Sequence, residues 1–333
     1  MNTEEGVHNL PDGSELYTKT WKTSGSPRAI LAFIHGFSDH CNAYGELFPT
    51  LASAGIEVRS FDQRLNPLQC KGQTETNTKN QRLGPQRQAT PRPGEYRPNK
   101  PSPRRHALFP PDPAITERLR TLFLMGHSMG GGQTLNYIFH PDSPYNKDKT
   151  SRPGFAGVLL YSPLIALDPS TRPSRLLVAA GRIVAKLIPH MQKYTPLEAT
   201  LLSRDEAVCR DFVADTLCHD MGTFEGLAGM LDRGIWLEGM FGGSAGGWVE
   251  SELPFWFGHG TGDRITAFSA TKVFVEGLKA KGGDVQFCAY ENAYHKLHAE
   301  LPETTEKFFA DVKTWVLERV PGMEGEVEPR VKL

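Results

Sequence analysis

Leu122-Phe123-Leu124-Met125-Gly126-His127-Ser128-Met129-Gly130-Gly131-Gly132 is the stretch on which the reading of this chain turns. Residues 122–125 are an apolar run, too short for a helix and closed by a glycine, and read as a strand buried on both faces. G-x-S-x-G follows at once, and residues 129–139 then continue with helical spacing. A serine on a sharp strand-to-helix turn exposes its hydroxyl. The helix behind it offers backbone N–H groups to an oxyanion. The glycines are needed because side chains beside the turn would strike neighbouring backbone. G-x-S-x-G alone is a common accident; strand before and helix after give it chemical meaning. Ser128 is the candidate nucleophile.

Outward from that turn, short apolar runs alternate with helical patterns. Residues 29–34 and 56–61 read as strands, with a helix over 44–54 that places Leu47, Phe48 and Leu51 on one face and ends at Gly55. Downstream, 157–161, 255–257 and 285–290 read as strands, and 268–281 and 304–318 as helices. The alternation predicts a mostly parallel sheet flanked by helices. With the serine turn it predicts an α/β-hydrolase fold in one domain over residues 1–320, followed by a polar tail, 321–333.

A serine hydroxyl needs a base, and the base needs an orienting acid, in the chain order Ser, Asp, His for this fold. Asp263 lies in a glycine-rich loop after strand 255–257, and His295 in the loop after strand 285–290. One helix and one strand separate them, so both belong on the rim that carries Ser128. His295 is the expected base. His298 is its rival, expected at the start of the last helix and facing loops. His127 and His259 flank motifs and read as structural. His35-Gly36-Phe37 ends strand 29–34; the loop there supplies the second oxyanion donor in this fold, so the N–H of Phe37 would pair with that of Met129. The His35 side chain reads as structural.

Two segments break the rhythm. Residues 65–117 are rich in Pro, Arg, Gln and Asn and have neither period; they offer too little apolar surface to offset the entropy of ordering and read as disordered or loosely wrapped. So long a loop is anomalous inside a compact domain. Residues 162–253 form an insertion between strands. There Leu176, Leu177, Ala180, Ile183, Val184, Leu187 and Ile188 recur at helical spacing within 173–189. That helix either packs on the core or is a lid lining an acyl pocket.

Composition bounds the partners. With 37 Lys and Arg against 38 Asp and Glu, the chain carries no net field to recruit nucleic acid. No stretch approaches the roughly 20 apolar residues of a membrane span, and residues 1–17 lack the pattern of a secretory signal. Five scattered cysteines without a C-x-x-C pair argue against a disulfide framework or a zinc site and point to a reducing, cytoplasmic setting. No cofactor is expected. A reading from another class is an inactive chain acting as a binding module through Pro98-Asn99-Lys100-Pro101, a P-x-x-P match. The complete Ser/Asp/His set favours the enzyme.

His35-Gly36-Phe37, residues 126–131, Gly260-Thr261-Gly262-Asp263-Arg264 and Tyr294-His295-Lys296-Leu297-His298 resemble the monoacylglycerol lipases, especially the fungal ones, which are relatives of lysophospholipases and serine aminopeptidases. Ser162-Pro163 and Arg233-Gly234 resemble them too. The likeness runs over residues 5–64 and 120–320. It implies His295 as base, Asp263 as acid, and a lid that meets membranes or lipid droplets and admits a fatty-acyl chain. The implied substrate is a lipid ester, foremost monoacylglycerol cleaved to fatty acid and glycerol, with lysophospholipid or general carboxylic esters as alternatives. No metal or cofactor is implied. The departure follows Phe61-Asp62-Gln63-Arg64: where the family has a short glycine-containing turn and a helix under the sheet, residues 65–117 resemble translated non-coding sequence or a misplaced exon boundary.

Overall fold

Neighbouring residues along the central strands go to two different cores, which is why those strands read as unbroken apolar runs. A computed structural model of the chain describes residues 2–63, 121–150, 152–243 and 247–320. The expectations for residues 65–117 and 321–333 lie outside the described residues.

The strands, in chain order, are β1 (Asn2–Asn9), β2 (Glu15–Lys22), β3 (Ala29–Ile34), β4 (Ile56–Phe61), β5 (Leu122–His127), β6 (Phe155–Tyr161), β7 (Gln192–Tyr194), β8 (Met221–Thr223), β9 (Phe255–Gly260) and β10 (Val285–Tyr290). The helices are α1 (Leu47–Ser53), α2 (Met129–Phe139), α3 (Pro144–Lys147), α4 (Arg175–Leu187), α5 (Glu206–Ala214), α6 (Phe224–Gly239), α7 (Phe268–Ala280) and α8 (Pro302–Leu317). Eight strands make one sheet in the order β1-β2-β4-β3-β5-β6-β9-β10. β2 runs antiparallel to both β1 and β4; from β4 onward the pairs are parallel.

On one face Leu31, Phe33, Phe123, Met125, Leu159, Tyr161 and Trp256 meet α1 and α8 through Phe48, Leu51, Phe308 and Trp315. On the other, Ala32, Ile34, Leu124, Val158, Leu160, Phe255 and Phe257 meet α2 and α7 through Leu135, Phe139 and Phe274. Side chains alternate across a strand, so a strand covered on both faces must be apolar at every position. The parallel register pairs Ile34 with Gly126, His127 with Tyr161, and Gly260 with Tyr290. The strands therefore finish together, and the loops after them share one rim.

Four strands and helices match the expected bounds at both ends, β3, β4, β10 and α2; several others differ for identifiable reasons. The helix expected over 44–54 begins at Leu47, because Tyr44 is held in the preceding turn with its hydroxyl accepting the Gly36 N–H at 2.9 Å. β9 runs on to Gly260, past the expected 257. A side chain at 258 would come within 2.5 Å of the Trp256 ring, and one at 260 would strike the carbonyl of Ala293, so glycine lets the strand continue beneath a crossing loop. The β1–β2 hairpin went unpredicted. β1 is exposed along nearly all its length, and in β2 only Trp21 is buried, so neither offers an apolar run.

Between β6 and β9 lies the insertion, with α4, α5, α6 and the β7–β8 ribbon. α4 begins at a Ser174 cap whose hydroxyl accepts from the Leu177 N–H. Its apolar residues do not reach the sheet. Leu176 is 83% exposed, Leu177 61%, Ile183 61% and Leu187 75%.

Candidate active site

Ser128 sits between β5 and α2 with φ 54° and ψ −120°, a strained conformation for a residue with a side chain. The close approach of the turn to β3 enforces it. A Cβ on Gly130 would strike the Ile34 carbonyl, and one on Gly126 would come within 2.5 Å of the Gly130 carbonyl. The Ser128 amide is tied to the Tyr161 carbonyl at 3.2 Å, and its own carbonyl accepts from Leu164 N–H at 2.8 Å and Gly132 N–H at 3.1 Å. The serine is thus anchored by two strand ends and its own helix.

The loops after β9 and β10 bring the other two residues to it. His295 Nε2 lies 2.9 Å from Ser128 Oγ, and His295 Nδ1 lies 2.8 Å from Asp263 Oδ2. All three are buried. Asp263 Oδ1 accepts the N–H groups of Ile265 (2.8 Å) and Thr266 (3.0 Å). Oδ2 is shared by His295, the Thr266 hydroxyl at 2.9 Å and His259 Nε2 at 3.1 Å. Burial alone would raise the Asp263 pKa, but the neighbouring His295 and the His259 hydrogen bond outweigh it and hold the carboxyl well below its usual range. An ionised Asp263 fixes the proton of neutral His295 on Nδ1 and leaves Nε2 free to accept from the serine.

His298 does not compete in this geometry. It is buried against the sheet, not facing loops as expected: Nδ1 is 3.0 Å from the Tyr161 hydroxyl, and its ring packs against Tyr44. Burial, with His127 and Lys296 nearby, pushes its pKa far down. His127 faces the same way, stacked on Tyr161 with its Nδ1 3.1 Å from the Tyr44 hydroxyl, and burial lowers its pKa to about 4. His35 ties two strand ends together: Nδ1–H donates to the Gly36 carbonyl at 2.8 Å, and Nε2 accepts the Gln63 N–H at 2.8 Å.

Phe37 and Met129 form a small buried cluster with Leu164, and the loop bearing Phe37 passes so close to Ser128 that a Cβ on Gly36 would lie 3.2 Å from the serine Cβ. Met129 is the first residue of α2, so its N–H has no acceptor within the helix. Leu164 also lines a partly open cleft in the insertion, together with Leu167, Val178, Met230 and Leu231 and the ion-paired Arg172 and Glu238.

Three supporting residues escaped sequence reasoning. His259, taken as merely structural, holds the same Asp263 oxygen as His295 while its Nδ1 accepts from the Thr271 hydroxyl at 2.9 Å. Its position four residues before Asp263 was the available signal. Ser162 donates to the His295 carbonyl at 2.8 Å and so positions the loop that carries His295. Asp39 makes a buried ion pair with Lys296 at 2.7 Å, next to the base in sequence; burial alone would raise its pKa, yet Lys296 and His127 hold it well below the usual range. Nothing in the spacing of residues 39 and 296 announces that pair.

Residues 25–64 and 114–302 match the family described as serine aminopeptidase, S33, which leaves residues 65–113 outside the match. The chain is 32% identical over 313 residues to a putative monoglyceride lipase of Schizosaccharomyces pombe, covering 92% of this chain and 72% of that one. It is 27% identical over 320 residues to the monoglyceride lipase of Rattus norvegicus, covering 93% and 89%. Among solved structures, a soluble variant of Saccharomyces cerevisiae monoglyceride lipase in complex with a substrate analog superposes with a TM-score of 0.68 at 20% identity, covering 96% of this chain and 97% of that one. Monoacylglycerol lipase of Paleococcus ferrophilus gives 0.65 at 21% identity, covering 92% and 100%. These likenesses share the sheet and helices described above, and the chain belongs to the monoacylglycerol lipase family of α/β-hydrolases.

Proposed function

We propose that this chain hydrolyses carboxylic esters of lipids, with monoacylglycerol as the substrate and fatty acid and glycerol as products. The observation that carries the reading is the hydrogen-bonded series Ser128–His295–Asp263 beside the apolar cluster of Phe37, Met129 and Leu164. The 32% identity to a putative monoglyceride lipase supports the choice of substrate.

In this reading His295 Nε2 takes the Ser128 proton as Oγ attacks the ester carbonyl carbon. The N–H groups of Phe37 and Met129 hold the oxyanion. The imidazolium then protonates the departing glycerol oxygen, leaving an acyl-serine. Water, deprotonated by His295, attacks that acyl carbon and releases the fatty acid. The acyl chain would run from Ser128 past Phe37, Met129 and Leu164 towards the cleft lined by Val178. The exposed Leu and Ile side chains of α4 rest on the lipid surface that supplies the substrate. Among the described residues no helix is long and apolar enough to cross a membrane, so contact with lipid would be peripheral.

The test is a fluorophosphonate probe together with hydrolysis of a long-chain monoacylglycerol and of an aminoacyl amide. Wild-type protein should label and release fatty acid, with the amide cleaved far more slowly; Ser128→Ala should do neither while keeping its circular dichroism spectrum. Labelling and turnover unchanged in Ser128→Ala would overturn the nucleophile, and preference for the amide would overturn the substrate class.

A further inference from the structure

The loop after β3 carries a second polar cluster that ester hydrolysis does not use. His40, Asp215 and Cys218 each present an atom able to ligate a metal, and these atoms lie within 4.8 Å of one another. His40 belongs to the loop that bears Phe37; Asp215 and Cys218 belong to the turn that ends α5 in the insertion. His40 Nε2 is 2.8 Å from Asp215 Oδ2, with the histidine side chain 6% exposed and the aspartate 34%. The turn itself is preset: Cys218 N–H donates to the Asp215 carbonyl at 3.0 Å, and Leu217 N–H to Asp215 Oδ1 at 2.9 Å, so Oδ2 is left for His40. The other nitrogen of His40, Nδ1, is buried without a hydrogen-bond partner.

A histidine–aspartate pair alone is a lock between two loops; the adjoining thiol adds something else. Imidazole nitrogen, carboxylate oxygen and thiolate sulfur are the ligand types zinc accepts, at about 2.0–2.3 Å each. Around a tetrahedral ion such atoms sit roughly 3.3–3.7 Å apart, so a movement of about 1 Å closes the widest edge. Asp39, Asp215 and Asp220 lie near Cys218, along with Lys296. A cysteine ligates zinc as the thiolate, its proton displaced by the ion.

We propose that His40, Asp215 and Cys218 bind a thiophilic divalent cation of the zinc class, which pins the insertion to the Phe37 loop. The ion displaces the Cys218 proton to solvent, and its fourth position is left to water. Because the ligands come from segments 175 residues apart, no metal spacing appears in the sequence. The pinned loops are the candidate oxyanion donor and the insertion that covers it, so the ion restrains their separation.

Chelator-treated full-length protein should be titrated with Zn²⁺ by equilibrium dialysis and with Co²⁺ by absorption spectroscopy. One equivalent should bind, with a thiolate-to-cobalt charge-transfer band in the near ultraviolet. Cys218→Ser should abolish that band, and Cys218→Ser and Asp215→Asn should each weaken zinc binding by about tenfold or more. Neither readout uses turnover, so failure here is separable from failure of the hydrolase reading. Circular dichroism checks that each variant is folded, with Cys218→Ala as the substitute if serine is not tolerated. No thiolate band in the wild type overturns the proposal, as does a band or a zinc affinity unchanged by these substitutions.

Discussion

Around Ser128 the chain buries charged groups and pairs them, whereas along α4 it exposes apolar groups to solvent. Asp263 receives two backbone N–H groups, a hydroxyl and two imidazoles within 3.1 Å, and Lys296 and Asp39 are paired beneath the same rim. α4 presents Leu176, Leu177, Ile183 and Leu187 to solvent, although its partners on α6 give it ion pairs such as Arg182–Asp232. Buried charge is tolerated only where partners are complete. Exposed apolar stripes are tolerated where an external surface covers them. The charges of the strand rim are paired among the described residues; the α4 stripe is left to the lipid surface proposed above.

The sharpest way to break that contrast is to remove one member of the rim. His295→Ala should lower kcat/KM on a monoacylglycerol by about 10⁴-fold, on the order of 5 kcal/mol of lost transition-state stabilisation. His298→Asn, which touches the Tyr161 hydroxyl and no carboxylate, should cost less than about tenfold. Stopped assays on folded protein decide between them. If the two losses are reversed, the base is His298 and the hydrogen bonds around His295 serve packing alone.

Much of this rim was legible beforehand because the information is local. G-x-S-x-G between an apolar run and a helical run announces one turn, and β3, β4, β10 and α2 fall where periodicity put them. Asp263 and His295 follow from strand order. What stayed illegible depends on how loops fold or on pairs distant in sequence: His259, four residues before Asp263, meets it only through the turn of the loop, and Lys296 pairs with Asp39 across 257 residues. The direction of the α4 stripe was equally hidden, since a helical period shows that an apolar face exists and not what covers it. The β1–β2 hairpin failed differently, because an edge hairpin solvated over most of its surface has no apolar run to show.

Burial of the rim histidines also sets its acid response. His127 is neutral in the folded protein, with its pKa pushed down to about 4 by burial, while an unfolded histidine takes its proton near pH 6.5. As pH falls from about 6.5 towards 4, the unfolded state gains a proton that the folded state does not. Stability therefore declines by about 3 kcal/mol across that window and is retained above it. His298 is shifted in the same direction and adds to the loss. Urea melts at several pH values measure this, and His127→Gln should flatten the slope. A stability that stays level between pH 6.5 and 4 would mean that these rings are charged in the fold, and that the rim is less enclosed than its burial indicates.

The smallest effect belongs to α4, and it sharpens the comparison most. Leu187 is exposed and Val178 lines the cleft shared with Leu164, so the two faces of one helix separate the surface contact and the acyl binding proposed above. Leu187→Asp should leave folding stability within about 0.5 kcal/mol, because the side chain loses no internal contact. Seating a leucine in an apolar phase is worth about 1.5–3 kcal/mol, so the same change should slow hydrolysis of emulsified long-chain monoacylglycerol by about tenfold. A short acetate ester in solution should be cleaved at the wild-type rate within about twofold, since no surface is involved. Val178→Asp should instead impair long-chain esters whether emulsified or dispersed as monomers. Parallel measurements on the three substrate forms give the answer. Equal losses for Leu187→Asp on emulsion and on acetate would mean that α4 acts through the fold and not through a lipid surface, and the exposed stripe would then lack the external partner that the contrast with the rim assigns to it.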